Sequence, residues 1–144
     1  MITVLTPELL READSFLDTD EQHQAAEQLG QELFTAFGTD KEGRVSTQVR
    51  NLQQMAVSAT RFADIEDFVK NQMGKKTGQS QKWRQVGHEI LRQLEKLREK
   101  ANQLATDEKQ RLLLRLHLAR GWVRAVVGAY LYAKALEEME KSNA

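Results

Sequence analysis

The residues best suited to chemistry in this sequence lie on one predicted helix. Between residues 44 and 73, apolar side chains recur every three to four positions, which is the spacing of an amphipathic helix with one buried face. The opposite side of this helix carries a row of residues at spacings of four, three and four: Arg50, Gln54, Val57 and Arg61. Guanidinium and amide groups at successive turns can contact successive phosphates of a nucleic-acid backbone, so we predict a phosphate-binding ridge here.

Further positive charge surrounds this ridge. The glycine-bracketed run 74–82 is polar and basic, and we predict a mobile surface loop there, followed by a helix from Trp83 to Leu104. Together with the ridge, the neighbouring cations form the predicted nucleic-acid-binding set: Arg44, Arg50, Gln54, Arg61, Lys75, Lys76, Lys82 and Arg84. A basic helix face that contacts only water explains the same residues, and the residues alone do not separate the two interpretations.

Residues that could catalyse a reaction or bind a metal form no recognisable pattern. Cysteine is absent, which excludes thiolate catalysis and cysteine-ligated metal centres. His23 has Glu27 one turn away but no third ligand. His88 lacks the Glu-x-x-His pair of di-iron bundles, and His117 lies among leucines. We therefore expect no catalytic residue, no metal site, no cofactor and no small-molecule substrate.

The composition is that of a soluble helical domain. The 144 residues include one proline and eight glycines, which leaves little material for turns and favours a few long helices. No sequence window approaches the roughly 20 apolar residues of a membrane span. The N-terminus lacks the basic and apolar regions of a signal peptide, so we expect a cytoplasmic protein with no membrane partner.

Charge is distributed unevenly although the net charge is zero. Residues 1–40 contain one basic and nine acidic residues, whereas residues 41–100 contain thirteen basic and seven acidic ones. Such asymmetry indicates that one side of the molecule meets an anionic partner and another side a basic one. Chance differences between solvated helix faces produce the same counts, and this alternative stays open.

Periodicity and capping residues predict an all-α bundle of about five helices in a single domain, residues 1–144. Acidic helices occupy residues 1–40 and basic central helices residues 44–104, with a bend or a break expected near Asp64, because Ile65 and Phe68 leave the earlier apolar stripe. The last helix, 107–141, is apolar nearly all round, which is typical of a helix that is central to its bundle or covered by another molecule. On its second side we predict a subunit contact with these members: Leu118, Gly121, Ala125, Gly128 and Tyr132.

Two segments resemble a known protein family. The segment VSTQVRNLQQMAVSA contains Thr47, Arg50 and Leu52 in a Thr/Ser-x-x-Arg-Asn/Lys-Leu pattern. It resembles the start of the central helix in the small subunits of type III (Csm-type) CRISPR effector complexes. The C-terminal LARGWVRAVVGAYLYAKALEEME is similar to the closing helix of that family. The resemblance covers about half of the chain, and the length, the all-α composition and the lack of cysteine agree with it.

The resemblance implies a non-catalytic helical subunit of a ribonucleoprotein. In this family, copies stack along the filament of the effector complex and contact the backbone of the guide RNA–target RNA duplex, while other subunits carry the nuclease activities. The implied partners are guide RNA, target RNA, other CRISPR effector subunits and further copies of the chain itself. Arg50 is then the first candidate for a backbone contact, followed by Arg61 and Arg44.

Two other functions are compatible with parts of the sequence. A helical protein–protein adaptor or regulator without nucleic-acid binding would leave the arginine ridge solvated. A four-helix-bundle enzyme or metal protein would need catalytic or ligand patterns that the sequence lacks. The RNA-binding subunit is the leading hypothesis.

Overall fold

The computed structural model describes residues 4–143 and contains six α-helices over that range. They are α1 (Pro7–Leu17), α2 (Asp20–Phe37), α3 (Thr47–Ser58), α4 (Phe62–Gly74), α5 (Gly78–Leu104) and α6 (Glu108–Ser142). The described residues form no strand, and one isolated bridge joins Thr39 to Val45 before α3. The predicted all-α bundle is confirmed, with six helices rather than about five. None of the helices in the described range is long and apolar enough to cross a membrane.

Short polar side chains set several helix starts. The hydroxyl of Thr6 accepts a hydrogen bond from the backbone N–H of Leu9 at 3.1 Å, and Pro7 occupies the first helical position of α1. The carboxylate of Asp107 accepts from the N–H of Gln110 at 3.0 Å at the start of α6. Such caps satisfy first-turn N–H groups that have no partner within the helix. These helix starts are therefore determined by local sequence.

α6 lies at the centre of the bundle and packs against each of the other five helices. Its middle turns bury Trp122 and Tyr130. α2 crosses α6 at Gly30, where a Cβ atom would lie 2.3 Å from the Cβ atom of Ala129, so only glycine fits. Of the two explanations for an apolar helix, a central position is therefore correct for this part of α6.

The central stretch of the sequence forms two helices and not one bent helix. α3 ends before Ala59, which has extended backbone angles of φ −60° and ψ 137°. α4 begins after Arg61, whose backbone N–H donates to the carboxylate of Asp64 at 3.1 Å. Of the bend or break predicted near Asp64, a break is correct, and Asp64 caps the start of the new helix. The break turns Ile65 into the core, although Ile65 departs from the apolar stripe of α3.

The loop predicted over residues 74–82 is shorter than expected. α5 already begins at Gly78, so only residues 75–77 connect it to α4. Ser80 is buried, and its hydroxyl donates to the carbonyl three residues earlier at 2.7 Å. Trp83, predicted as the first residue of the helix, is a fully buried residue of its second turn. Burial of these two side chains holds the segment against the core as a helix.

The connection between α2 and α3 is fastened to α6. Gly38 ends α2 with a φ of 58°, a conformation that favours glycine. The hydroxyl of Tyr130 accepts from the backbone N–H of Ser46 at 3.0 Å and donates to the carbonyl of Gly38. Ser46 in turn caps α3, its hydroxyl accepting from the N–H of Gln48 at 3.1 Å. One buried side chain of α6 therefore fixes the start of α3.

Candidate nucleic-acid interface

α3 presents one face to the core and the other to solvent. Val49, Leu52 and Ala56 are buried, at the spacing that the sequence predicts. The opposite side, which we name the α3 outer face, consists of exposed residues: Arg50, Gln53, Gln54 and Val57. Val57 is 73% exposed, so the described chain leaves this face almost entirely open.

Arg50 is the only cation of the α3 outer face and has few internal contacts. Its Nη2 atom donates to the hydroxyl of Thr47 at 3.2 Å, and it forms no ion pair with any of residues 4–143. A guanidinium has five N–H donors, so most of those of Arg50 are available to another molecule. Arg50 also lies near the start of α3, where the helix dipole adds positive potential. The arrangement attracts an anion.

The surface around Arg50 forms a shallow depression with a volume of about 460 Å³. It is lined by hydroxyl, amide and guanidinium groups together with one apolar side chain: Thr47, Arg50, Asn51, Gln53, Gln54 and Val57. Amide and hydroxyl groups can donate to phosphate and ribose oxygens without distinguishing one base from another. The chemistry of this lining fits a sugar–phosphate backbone.

Arg61 does not lie on the α3 outer face. It precedes α4, and its Nη2 and Nε atoms lie 2.7 Å and 3.1 Å from one carboxylate oxygen of Asp64. This side-chain hydrogen bonding lowers the pKa of Asp64 and raises the pKa of Arg61. The predicted ridge from Arg50 to Arg61 is therefore wrong, because the helix break separates the two arginines and Asp64 neutralises the charge of Arg61.

Arg44 is also engaged within its own loop. Its Nε atom lies 3.0 Å from the carboxylate of Asp40, and its Nη2 atom lies 2.9 Å from that of Glu42. The backbone N–H of Arg44 donates to Asp40 at 2.8 Å, and this hydrogen bond is the main reason that the pKa of Asp40 is lowered. Two carboxylates surround one cation here, so this site is a poor phosphate contact.

The predicted cations near the connection between α4 and α5 differ in exposure and hydrogen bonding. The indole N–H of Trp83 donates to the side-chain amide oxygen of Gln48 at 2.8 Å, which links the second turn of α5 to the first turn of α3. Lys75 and Lys76 are exposed and form no ion pair within the described chain. Lys82 is half-buried, and the Nε atom of Arg84 donates to a backbone carbonyl near the end of α4 at 2.8 Å. None of the four cations has an ion pair among residues 4–143, and Lys75 and Lys76 are the two that are both exposed and without a side-chain hydrogen bond there.

Arg120 has a structural role that no local sequence pattern indicates. Its Nε atom donates to the carbonyl of Ala56 at 3.0 Å, and its Nη2 atom donates to the carbonyl of Ala59. Carbonyl groups at the end of a helix lack intrahelical partners. Arg120 therefore fixes the end of α3 to α6, as Tyr130 fixes its start. Arg124, one turn further along α6, is exposed and forms no ion pair with residues 4–143.

The predicted subunit contact on α6 is only partly exposed. Leu118 is 0% exposed within the core of the chain itself, so its assignment to a subunit contact is wrong. Gly121 is covered by Leu17 of α1, whose Cδ1 atom would lie 2.7 Å from a Cβ atom at this position. The remaining members face solvent: Ala125, Gly128 and Tyr132. Large apolar residues further along α6 are exposed as well: Leu131, Leu136 and Met139.

Two histidines pair with single carboxylates. The Nε2 atom of His23 lies 2.8 Å from Asp18, and the Nε2 atom of His117 lies 2.8 Å from Asp14, which links α6 to α1. Among residues 4–143, no three His, Asp or Glu side chains converge in a way that could hold a metal ion.

Comparison of the chain with protein-family models, with curated proteins and with solved structures finds no match. The fold and the site define an all-α bundle with a cationic, amide-rich face on α3 and exposed apolar residues on α6. Function is therefore assigned from these two surfaces and from the family resemblance of the sequence.

Proposed function

We propose that the chain is a non-catalytic, RNA-binding small subunit of a type III CRISPR RNA-guided effector complex. The observation that carries this proposal is the state of Arg50, which is exposed without an ion pair among residues 4–143, whereas Arg44 and Arg61 are bound to nearby carboxylates. Arg50 also belongs to the Thr-x-x-Arg-Asn-Leu segment that resembles this family. Arg50 is therefore available to bind an anion and also belongs to the segment that resembles the family.

In this proposal the α3 outer face contacts the backbone of the guide RNA–target RNA duplex. Arg50 donates charge-assisted hydrogen bonds to a phosphate, and the amides of Gln53 and Gln54 donate to neighbouring oxygens. Contacts of this kind position a nucleic acid without reading its sequence. Lys75 and Lys76 add long-range attraction for the same anionic partner.

Binding to free RNA is expected to be weak. The chain has zero net charge and few cations that could replace counterions on the RNA. Within a cytoplasmic effector complex, neighbouring subunits and further copies of the chain hold it beside the RNA, which raises the effective concentration. The exposed acidic residues of α1 and α2 then face a basic neighbouring subunit rather than RNA.

The test compares two exposed arginines that form no ion pair within the described chain. Arg50→Ala removes the proposed phosphate contact, and Arg11→Ala, the matched control, removes an arginine from the acidic helix α1. Binding of single-stranded RNA and of a guide–target duplex is measured by fluorescence anisotropy at two salt concentrations.

We expect Arg50→Ala to weaken binding and to make the logarithmic salt dependence shallower by about 0.7 for a single strand, which corresponds to one lost phosphate contact. We expect Arg11→Ala to change neither quantity. Equal affinities and equal salt dependences for the two variants would show that α3 does not bind RNA.

A helical protein–protein adaptor is the second candidate function. It is favoured by the exposed apolar residues in the last part of α6: Leu131, Tyr132, Leu136 and Met139. An adaptor without an RNA partner predicts that Arg50→Ala leaves the background affinity for RNA unchanged. The same anisotropy measurement therefore separates the two functions.

A further inference from the structure

The C-terminal half of α6 has an uncovered apolar stripe. Its members recur every three to four residues, and we name them the α6 stripe: Ala125, Gly128, Tyr132, Leu136 and Met139. Tyr132 is 62% exposed and Met139 is 60% exposed, and Leu131 lies along one edge with 42% exposure. A contiguous apolar helix face of this kind marks an interaction surface.

The α6 stripe is uncovered because α1 is short. α1 packs along the preceding part of the same side of α6, where His117 lies 2.8 Å from Asp14 and Leu17 covers Gly121. Leu17 is the last residue of α1, so α1 covers α6 only as far as Gly121, one turn before Ala125. Within the described chain, Tyr132, Leu136 and Met139 stay 62%, 41% and 60% exposed.

We propose that the α6 stripe binds the same stripe of a second copy of the chain, with the two α6 helices antiparallel. The small members of the stripe, Ala125 and Gly128, lie at one end and the large members at the other. An antiparallel pair places Tyr132 of one copy over the partner's Gly128, so each large end packs against a small end. A parallel pair sets the two Tyr132 rings against each other and leaves a gap between the glycines, which is poor packing.

The charges beside the stripe fit the same arrangement. Arg124, Leu131 and Glu138 are spaced seven residues apart, so they lie along one edge of α6. Antiparallel pairing centred on Leu131 places Arg124 beside the partner's Glu138, and two-fold symmetry produces this contact twice. Arg124 has no ion pair with residues 4–143, and Glu138 pairs with Lys134 of the same helix at 2.6 Å. The stripe is therefore complementary to itself in both size and charge.

The contact is small, so the dimer is weak. From Ala125 to Met139 the stripe rises through 14 residue steps, which is about 21 Å of helix. A single pair of helices of this length buries less than the roughly 800 Å² per partner of a typical stable complex. A two-fold contact also closes on itself, so it joins two copies and leaves the stacking of further copies to other surfaces. This pairing is independent of RNA binding, because α3 takes no part in it.

Sedimentation velocity over a series of protein concentrations tests the dimer. For the full chain, the sedimentation coefficient should rise with concentration towards the value of a dimer. Tyr132→Glu places two like charges at the centre of the contact and should keep the protein monomeric over the same series. Val57→Glu changes an apolar residue of α3 that is 73% exposed, against 62% for Tyr132, and this matched control should leave the dimer intact. A full chain that stays monomeric throughout, or a Val57→Glu effect equal to that of Tyr132→Glu, overturns the proposal.

Charge reversal tests the antiparallel arrangement. Arg124→Glu and Glu138→Arg should each raise the dissociation constant of the dimer about tenfold, because each change brings like charges together at both symmetric contacts. The double variant should restore the original dissociation constant, and a double variant no tighter than the single variants overturns the arrangement. RNA binding of Tyr132→Glu should equal that of the unaltered chain, so loss of the dimer and loss of RNA binding are separate results.

Discussion

Arg50 and Arg61 look equivalent in the sequence and have different roles in the structure. Arg50 lies on the α3 outer face without an ion pair among residues 4–143, whereas Arg61 binds Asp64 before α4 begins. The local chain explains the difference, because a carboxylate follows Arg61 after three residues while Gln53 and Gln54 occupy the corresponding positions after Arg50. A cation with a carboxylate in its own turn stabilises that turn, and a cation without one is available to a partner.

The two regions also differ in how they are held. The start of α4 is capped by its own Asp64. Both ends of α3 are fixed by the central helix, the start through Tyr130 and the end through Arg120. The outer face of α3 therefore has a defined orientation relative to α6, as a binding surface requires, while the Arg61 site is a local helix cap.

The largest effect is expected for Arg120→Ala. This change leaves the carbonyls of Ala56 and Ala59 without their partner in a half-buried place, so we expect the free energy of unfolding to fall by about 2–3 kcal/mol. Urea denaturation measures it, at protein concentrations at which the chain is monomeric. Arg124→Ala, one turn away and exposed, is the control and should change the free energy by less than about 0.5 kcal/mol. An equal decrease in the free energy of unfolding for the two variants would contradict the assigned role of Arg120.

A smaller and pH-dependent effect is expected for Asp64→Asn. Because the pKa of Asp64 in the folded chain is lowered from 3.8, the folded state binds its proton less tightly than the unfolded state does. The interaction with Arg61 therefore stabilises the fold above that value, and the stabilisation is lost as the pH falls through the lowered pKa. We expect Asp64→Asn to lower the melting temperature at neutral pH and to lose that effect in strong acid. A difference in melting temperature between the two proteins that does not change with pH would contradict the role of the Asp64 charge in this cap.

The sequence predicts those parts of the fold that depend on local interactions. The helix starts at Thr6 and Asp107 follow from short polar caps, and the buried spacing of α3 follows from its apolar period. The departure of Ile65 and Phe68 from the apolar stripe predicts a bend or break near Asp64, but not its position, because alanines at 59 and 63 continue the apolar period across the actual break. The position of the break agrees with the local cap by Asp64 and with the burial of Ile65, which depends on tertiary packing.

The candidate site is predictable to a similar extent. The exposure of Arg50 follows from its place opposite the buried residues of α3. The anchoring of Arg120 does not follow from its neighbours, since its carbonyl partners lie more than 60 residues away in the chain. The burial of Leu118 does not follow from its neighbours either, because the sequence of α6 does not show how far the rest of the chain covers its second side.

The central claim is that Arg50 contacts an RNA backbone and that Arg61 serves the fold. The most direct test is the salt dependence of RNA binding for the unaltered chain, Arg50→Ala and Arg61→Ala, with circular dichroism to confirm that each variant is folded. We predict a logarithmic slope on single-stranded RNA that is shallower by about 0.7 for Arg50→Ala and unchanged for Arg61→Ala. Three equal slopes, or a change for Arg61→Ala as large as that for Arg50→Ala, would contradict the claim.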